Sequence, residues 1–327
     1  MNTAAGELRW CDLPTPTPAQ GQVRVRVRCC GVCATDLEMI RGWDRTGFPA
    51  VPGHEWCGTV DAVGEGVDAQ WVGQSVVAEN VLSDGGEVGF EHAGGYAEFL
   101  VTEAANLRRL TGAAAGDPAA ALVEPLAVCL RGLTRLRFVA GSDAVVFGDG
   151  PIGLITVMLL RRAGAGRVVL VGGRAARLAL ASELGAITIN RHEVAGVESA
   201  VRRVLGAAAA ARFLVEASGS PAALSAALTL AAPQARLLVL GDYAAARAEF
   251  AWNTLLHREL ELIGSNASAG AWDEAVALVN RGGVPLARLV THRLPAHRYE
   301  EAVALASTPG AAVKVLLDWR AAGLTAG

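Results

Sequence analysis

In the first third of the chain, apolar and polar positions alternate. Val23, Val25, Val27 and Cys29 are interleaved with Arg24, Arg26, Arg28 and Cys30, the period of a strand with one buried face. Pro52-Gly53, Gly64-Glu65-Gly66 and Gly94-Gly95 punctuate further apolar runs at 58–63 and 74–78. Up to about Leu126 this pattern predicts a small, irregular β barrel. From Ser142 the period changes. An apolar strand at 144–147 leads into a helix at 152–163, then a strand at 167–171 and a helix at 174–184, with further strands at 187–189, 213–216, 236–240 and 260–263. Strands alternating with helices of this length predict an α/β fold with a doubly wound parallel sheet, buried on both faces. Such a sheet closes its count at about six strands, so a helix near 272–281 and a strand near 313–319 are expected to fold back on the first half. The expected organisation is a catalytic β domain at 1–127, a dinucleotide-binding domain at 128–265 and a returning segment at 266–327. The alanine-rich residues 207–211 read as a helix end or a loop.

Composition narrows the function classes. The 327 residues are 52% hydrophobic and 19% charged, enough apolar surface for a buried core and too much for disorder. Net charge is −3 without a block of like charge, so neither nucleic acid nor an anionic membrane is an expected partner. The opening residues carry no signal-like apolar run, and a soluble cytoplasmic protein is expected. The six cysteines, in a chain large enough to fold without cross-links, are expected to be reduced thiols.

Gly148-Asp149-Gly150-Pro151-Ile152-Gly153 fits G-x-G-x-x-G between a predicted strand and a predicted helix. The first glycine permits the tight turn, the second lets backbone approach a pyrophosphate, and the third lets helix and strand pack closely. The helix N-terminus adds positive potential for the phosphates. At the end of the next strand, where an acid commonly takes the ribose hydroxyls, the chain reads Val171-Gly172-Gly173-Arg174-Ala175-Ala176-Arg177. No carboxylate is present. Arg174 and Arg177 are placed to face a 2′-phosphate, which favours NADP(H) over NAD(H).

Cys30 and Cys33 form a C-x-x-C, but no second pair exists to complete a four-cysteine metal site, and the strand alternation gives Cys30 a packing role. Cys33-Ala-Thr35-Asp36, Val51-Pro-Gly-His54-Glu55-Trp-Cys57-Gly, Gly94-Gly95-Tyr96-Ala97-Glu98-Phe99 and Leu122-Val-Glu124-Pro125 occur in that order. Together these stretches resemble the zinc-containing medium-chain alcohol and polyol dehydrogenases, over essentially the whole chain. The resemblance implies one catalytic zinc held by Cys33 and His54, with an acidic third ligand for which Glu55 and Glu124 compete. Three protein ligands leave a fourth position for water or substrate; alcohol dehydrogenase is a standard example of such a site. Thr35 would hydrogen-bond the substrate oxygen, and Asp36 would hold the far nitrogen of His54. Glu38 stands where many relatives carry a relay histidine. The residues between Ala78 and Gly94 contain no cysteine, so the lobe that binds a second, structural zinc in many relatives is expected to be missing. His92, in the same stretch, is expected at the surface, and a homodimer joined through the edge of the nucleotide-binding sheet is expected by analogy.

The expected activity is hydride transfer between a nicotinamide cofactor and a small-molecule secondary alcohol or ketone: a polyol, amino alcohol or cyclitol. Two stretches resemble enzymes that oxidise aminocyclitols. The alternatives are a zinc-free quinone or enoyl reductase on the same fold and a non-catalytic NADPH-binding protein.

Overall fold

The computed structural model describes every residue except Asp44, 207–209, Ala248, Ala251 and 321–327. Part of the alanine-rich stretch therefore lies outside the described residues. The chain divides into two compact units, one of Met1–Glu124 with Trp272–Gly327 and the other of Pro125–Ala271.

The first unit opens with a hairpin, β1 (Asn2–Ala4) and β2 (Glu7–Leu8). A long strand β3 (Gln22–Val32) and a short helix α1 (Ala34–Arg41) follow, then β4 (Trp56–Val63), β5 (Ser75–Ala78), β6 (Phe99–Glu103) and β7 (Leu107–Arg109). Helix α2 (Val123–Leu136) carries the chain across the division between the units. The second unit runs β8 (Ala144–Phe147), α3 (Pro151–Arg162), β9 (Val168–Gly172), α4 (Ala175–Glu183), β10 (Ile187–Asn190), α5 (Val197–Leu205), β11 (Ala211–Glu216), α6 (Pro221–Leu230), β12 (Ala231–Val239), α7 (Trp252–His257) and β13 (Glu261–Gly264). The chain then re-enters the first unit with α8 (Trp272–Asn280), β14 (Val290–Pro295), α9 (Tyr299–Ser307) and β15 (Lys314–Asp318).

The sheet of the second unit is entirely parallel, ordered β10-β9-β8-β11-β12-β13. Counted from its own first strand, that order is 3-2-1-4-5-6, in which strand order reverses beside β8 and the carboxyl ends of the strands flank a dinucleotide. Val145, Phe147, Val169, Leu214 and Leu237 fill its core. Strand β12 starts upstream of the expected 236–240. A register shift against β11 and the positive φ of 58° at Gln234 break the periodicity that would reveal its first residues.

In the first unit the strand order is β14-β15-β3-β4-β5-β7, with β6 also paired to β3. Strand β3 is the organising element: β4 lies along one side, while β6 borders its first half from Gln22 to Arg26 and β15 its second half from Cys29 to Val32. The second half of the strand corrects the expectation of one buried face. Alternation holds as far as Arg26, but from Val27 to Val32 every residue is buried. Arg28, expected on the polar face, is 6% exposed and donates to the Ala115 carbonyl. Its second face is covered by the turn at Pro118–Leu122, which packs on β3 and β4.

Candidate metal centre and dinucleotide turn

The metal-ligating side chains are delivered by the ends of β3 and β4. Cys33 directly follows β3 and serves as N-cap of α1. Its backbone N–H donates to Asp36 Oδ2 at 2.8 Å, so the carboxylate that begins the helix also fixes the cysteine's orientation. Across the sheet, Gly53 adopts φ 107°, a conformation that favours glycine. A side chain there would begin 2.6 Å from Tyr96. This turn brings His54 and Glu55 to the start of β4. Sulfur of Cys33, a ring nitrogen of His54 and a carboxylate oxygen of Glu55 all lie within 4.8 Å of one another. Glu124, the other acid, is not in that set.

Asp36 is fully buried and collects donors from several segments. Besides Cys33 it accepts from Gly53 N–H at 3.2 Å and from the Tyr96 hydroxyl at 3.4 Å, and its Oδ1 stands 3.3 Å from Nδ1 of His54. Nδ1 is nonetheless buried without a hydrogen bond. Burial works against charge on this imidazole, but Asp36 and Cys33 outweigh it and hold His54 well above the ordinary histidine range. The meeting of a thiol, an imidazole and a carboxylate fits a site that takes up a cation, with Nδ1 of His54 facing Asp36 and the other ring nitrogen left for ligation. The donor set, one sulfur, one imidazole and one carboxylate, is of the kind zinc accepts.

Sequence reasoning missed the partner of Glu55. Lys314, first residue of β15, sets its ammonium 2.7 Å from both Glu55 carboxylate oxygens, with side chains 4% and 2% exposed. Burial lowers the affinity of this amine for its proton, but the adjoining carboxylate outweighs it, and its pKa is raised. Gly31 makes room for the pair, since any side chain there would strike the Glu55 carboxylate. The sequence signal was faint: a lysine heading the apolar run Val315-Leu316-Leu317 in a strand whose five residues are all buried.

Glu124 sits near the start of α2, half-buried, and burial pushes its carboxyl up to about 7. Thr35 lies in the first turn of α1 with Oγ1 3.8 Å from the Cys33 sulfur. Glu38 follows one turn later on the same helix, half-buried. The ring of Phe90 covers His54 at 4.9 Å between centroids. His92 is at the surface as expected, 3.0 Å from Asp84.

In the second unit the glycine turn has the geometry its sequence requires. Gly148 adopts φ 115° directly after β8, and Gly150 caps α3 with Pro151 at the helix's first position and Ile152 beyond it. A side chain at 153 would strike the Gly148 carbonyl, whereas one at 150 would meet nothing within 4 Å. Gly153 is thus fixed by packing, and the open space over Gly150 fits a pyrophosphate at the helix N-terminus. Gly172 ends β9, Arg174 is the N-cap of α4, and Arg177 is in its first turn.

Comparison with known proteins extends this geometry. Residues 19–112 match the alcohol dehydrogenase GroES-like domain family, and residues 151–281 match the zinc-binding dehydrogenase family. D-altritol 5-dehydrogenase of Agrobacterium fabrum is 32% identical over 81% of this chain and 82% of its own length. Sorbitol dehydrogenase of Bombyx mori is 29% identical over 88% and 89%. Among solved structures, a zinc-binding dehydrogenase of Sinorhizobium meliloti bound to NADP superposes with a TM-score of 0.90 at 26% identity, covering 96% of this chain and 97% of that one. A short chain alcohol dehydrogenase of Escherichia coli complexed with NADH gives 0.89 at 26%, covering 97% and 98%. Fold and site therefore define an alcohol dehydrogenase-type oxidoreductase that uses a nicotinamide cofactor. The chain belongs to the zinc-containing medium-chain dehydrogenase/reductase family, in its sorbitol- and threonine-dehydrogenase-like part. None of these relatives supports the zinc-free or the non-catalytic alternative.

Proposed function

We propose that this enzyme oxidises a secondary hydroxyl of a polyol, or reduces the matching ketone, with NADP(H), using a single zinc held by Cys33, His54 and Glu55. The observation that carries the reading is the meeting of those three donors within 4.8 Å. Zinc bound there supplies a Lewis acid for the alcohol oxygen, and the nicotinamide supplies or accepts the hydride.

The chain's own residues then have separable tasks. Asp36 orients His54 and, through the Cys33 N–H, the thiolate. Lys314 restrains Glu55 so that a carboxylate oxygen faces the other donors, and Glu124 is the acid that replaces Glu55 if the two exchange. The hydroxyl of Thr35, two residues after Cys33, receives the substrate proton, and Glu38 on the next turn passes it outward. A polyol is favoured because the curated relatives include altritol, sorbitol and arabinitol dehydrogenases. NADP(H) is favoured by Arg174 and Arg177 at the end of β9; the solved relatives bind either dinucleotide, so these local residues carry the choice.

A homodimer through β13 is proposed from its position at the sheet edge, where Leu262 is 38% exposed, with Trp252 at 70% and Leu256 at 68% on α7. A reducing, cytoplasmic setting suits six free cysteines, and no helix among the described residues is long and apolar enough to cross a membrane. The test is metal analysis together with a screen of polyols, amino alcohols and ketones with both cofactors. Full activity with less than about half an equivalent of zinc per chain would overturn the metal mechanism; turnover of simple alkanols alone would overturn the substrate class.

A further inference from the structure

The two glycines that end β9 yield space to different neighbours. A side chain at 172 would begin 2.7 Å from both Cβ and Oδ2 of Asp149, which belongs to the glycine turn after β8. One at 173 would begin 2.8 Å from Nε2 of His192 and 2.9 Å from Nε of Arg191, which follow β10. Three strand ends thus converge on one point of backbone, immediately before Arg174.

Asp149 ties this point together. It is 3% exposed, and its Oδ2 accepts from the N–H groups of Gly173 at 2.9 Å and Arg174 at 2.8 Å. Its Oδ1 takes the Arg174 guanidinium at 2.6 Å, with that of Arg177 at 4.0 Å. Burial works against its charge, but these donors outweigh it and hold the carboxyl below the usual range. A carboxylate so engaged fixes the arginine heads rather than waiting for a ribose hydroxyl. The opposing wall is anchored too. Arg191 N–H donates to the Gly172 carbonyl at 2.9 Å, extending the β9–β10 ladder, and His192 N–H donates to Asn190 Oδ1 at 3.1 Å. The nearby Glu193 is turned to the Asn190 amide at 2.6 Å.

We propose that Arg174, Arg191 and His192 form a clamp for the 2′-phosphate of a phosphorylated adenosine, with Asp149 as the positioning residue that holds Arg174 in place. This rests on the NADP(H) reading above and adds the two residues after β10, which that reading did not contain. Guanidiniums and an imidazole on two sides of a bare glycine backbone suit a compact, doubly charged oxyanion. A fixed arginine loses less side-chain freedom on binding than a free one.

The experiment measures direct binding of NADPH, NADH, adenosine 2′,5′-bisphosphate and 5′-AMP by calorimetry or fluorescence. Wild-type protein is expected to favour NADPH over NADH, and the bisphosphate over 5′-AMP, by about tenfold or more. Arg191→Ala and His192→Ala change exposed side chains, so the fold is retained. Each is expected to weaken NADPH and the bisphosphate about three- to tenfold while NADH moves less than about twofold. Asp149→Asn is expected to lower the same ratio, and to lower it no further when Arg174 is already alanine, as a role exercised through Arg174 requires. If wild type favours NADPH but Arg191→Ala and His192→Ala leave the ratio unchanged, the clamp is wrong and the NADP(H) reading stands. If wild type shows no preference or favours NADH, both fall together.

Discussion

Lys314 and Glu55 are 259 residues apart in sequence, yet form a buried ion pair at 2.7 Å beside the proposed metal ligands. Removing one partner of such a pair leaves an uncompensated buried charge and costs about 3–5 kcal/mol, whereas replacing both by apolar residues is far milder. Lys314→Met is therefore expected to destabilise the protein by about that amount, and Glu55→Leu with Lys314→Met to recover most of it. Denaturant unfolding of the four-member cycle reads this directly. Equal stability of Lys314→Met and wild type would show that the pair is not formed in solution.

Asp36 binds no metal itself in this scheme but meets every segment that supplies a ligand. Asp36→Asn keeps the shape and removes the charge. Zinc affinity is expected to fall about 10- to 100-fold, as for other residues that orient ligating histidines. Competition with a chromogenic chelator measures it; Glu55→Gln and Glu124→Gln in the same assay rank the two acids, with the larger loss expected for Glu55.

The glycines of the dinucleotide turn should fail differently. Gly153→Ala pushes a methyl into the Gly148 carbonyl and is expected to lower stability by about 1–3 kcal/mol. Gly150→Ala meets open space and should leave the melting temperature nearly unchanged, while weakening NADPH and NADH alike by about tenfold or more. Thermal unfolding beside cofactor titration separates the two. Unchanged binding in Gly150→Ala would mean that the pyrophosphate lies elsewhere.

Asp149 gives a signature in acid. Its carboxyl is held below the usual range in the fold, so the stability it contributes is fully present above the unfolded carboxylate value and is lost as pH falls through the lower, folded one. The wild-type unfolding free energy should drop below about pH 4, and Asp149→Asn should show a shallower drop there together with lower stability at neutral pH. Parallel pH profiles for the two proteins would remove Asp149 from the account.

Much of this molecule was legible because its signals are local. Val23, Val25 and Val27 announce β3, the run at 144–147 is β8 residue for residue, and Cys33 and His54 stand out through their immediate neighbours. What escaped depends on neighbours distant in sequence. Arg28 looked solvated because nothing in its own strand foretells the Ala115 carbonyl that its guanidinium reaches or the Pro118–Leu122 turn that packs on β3. Arg191 and His192 sit in an ordinary polar turn until the parallel register of β9 with β10 sets them beside Gly173. Arg174 was picked out, but not the aspartate that holds it, since that side chain reaches across from the neighbouring strand's turn.

The pairing of β15 with β3 also orders events during synthesis. The second unit is one uninterrupted stretch and can close on itself as it leaves the ribosome. The first unit cannot, because one edge of β3 stays open over its second half until residue 314 and those after it have been translated. Until then Glu55 has no ammonium to face. The second unit, which carries the glycine turn, can therefore form first and the first unit, which carries the proposed zinc ligands, last; a truncation before β15 is expected to disturb the first unit and spare the second.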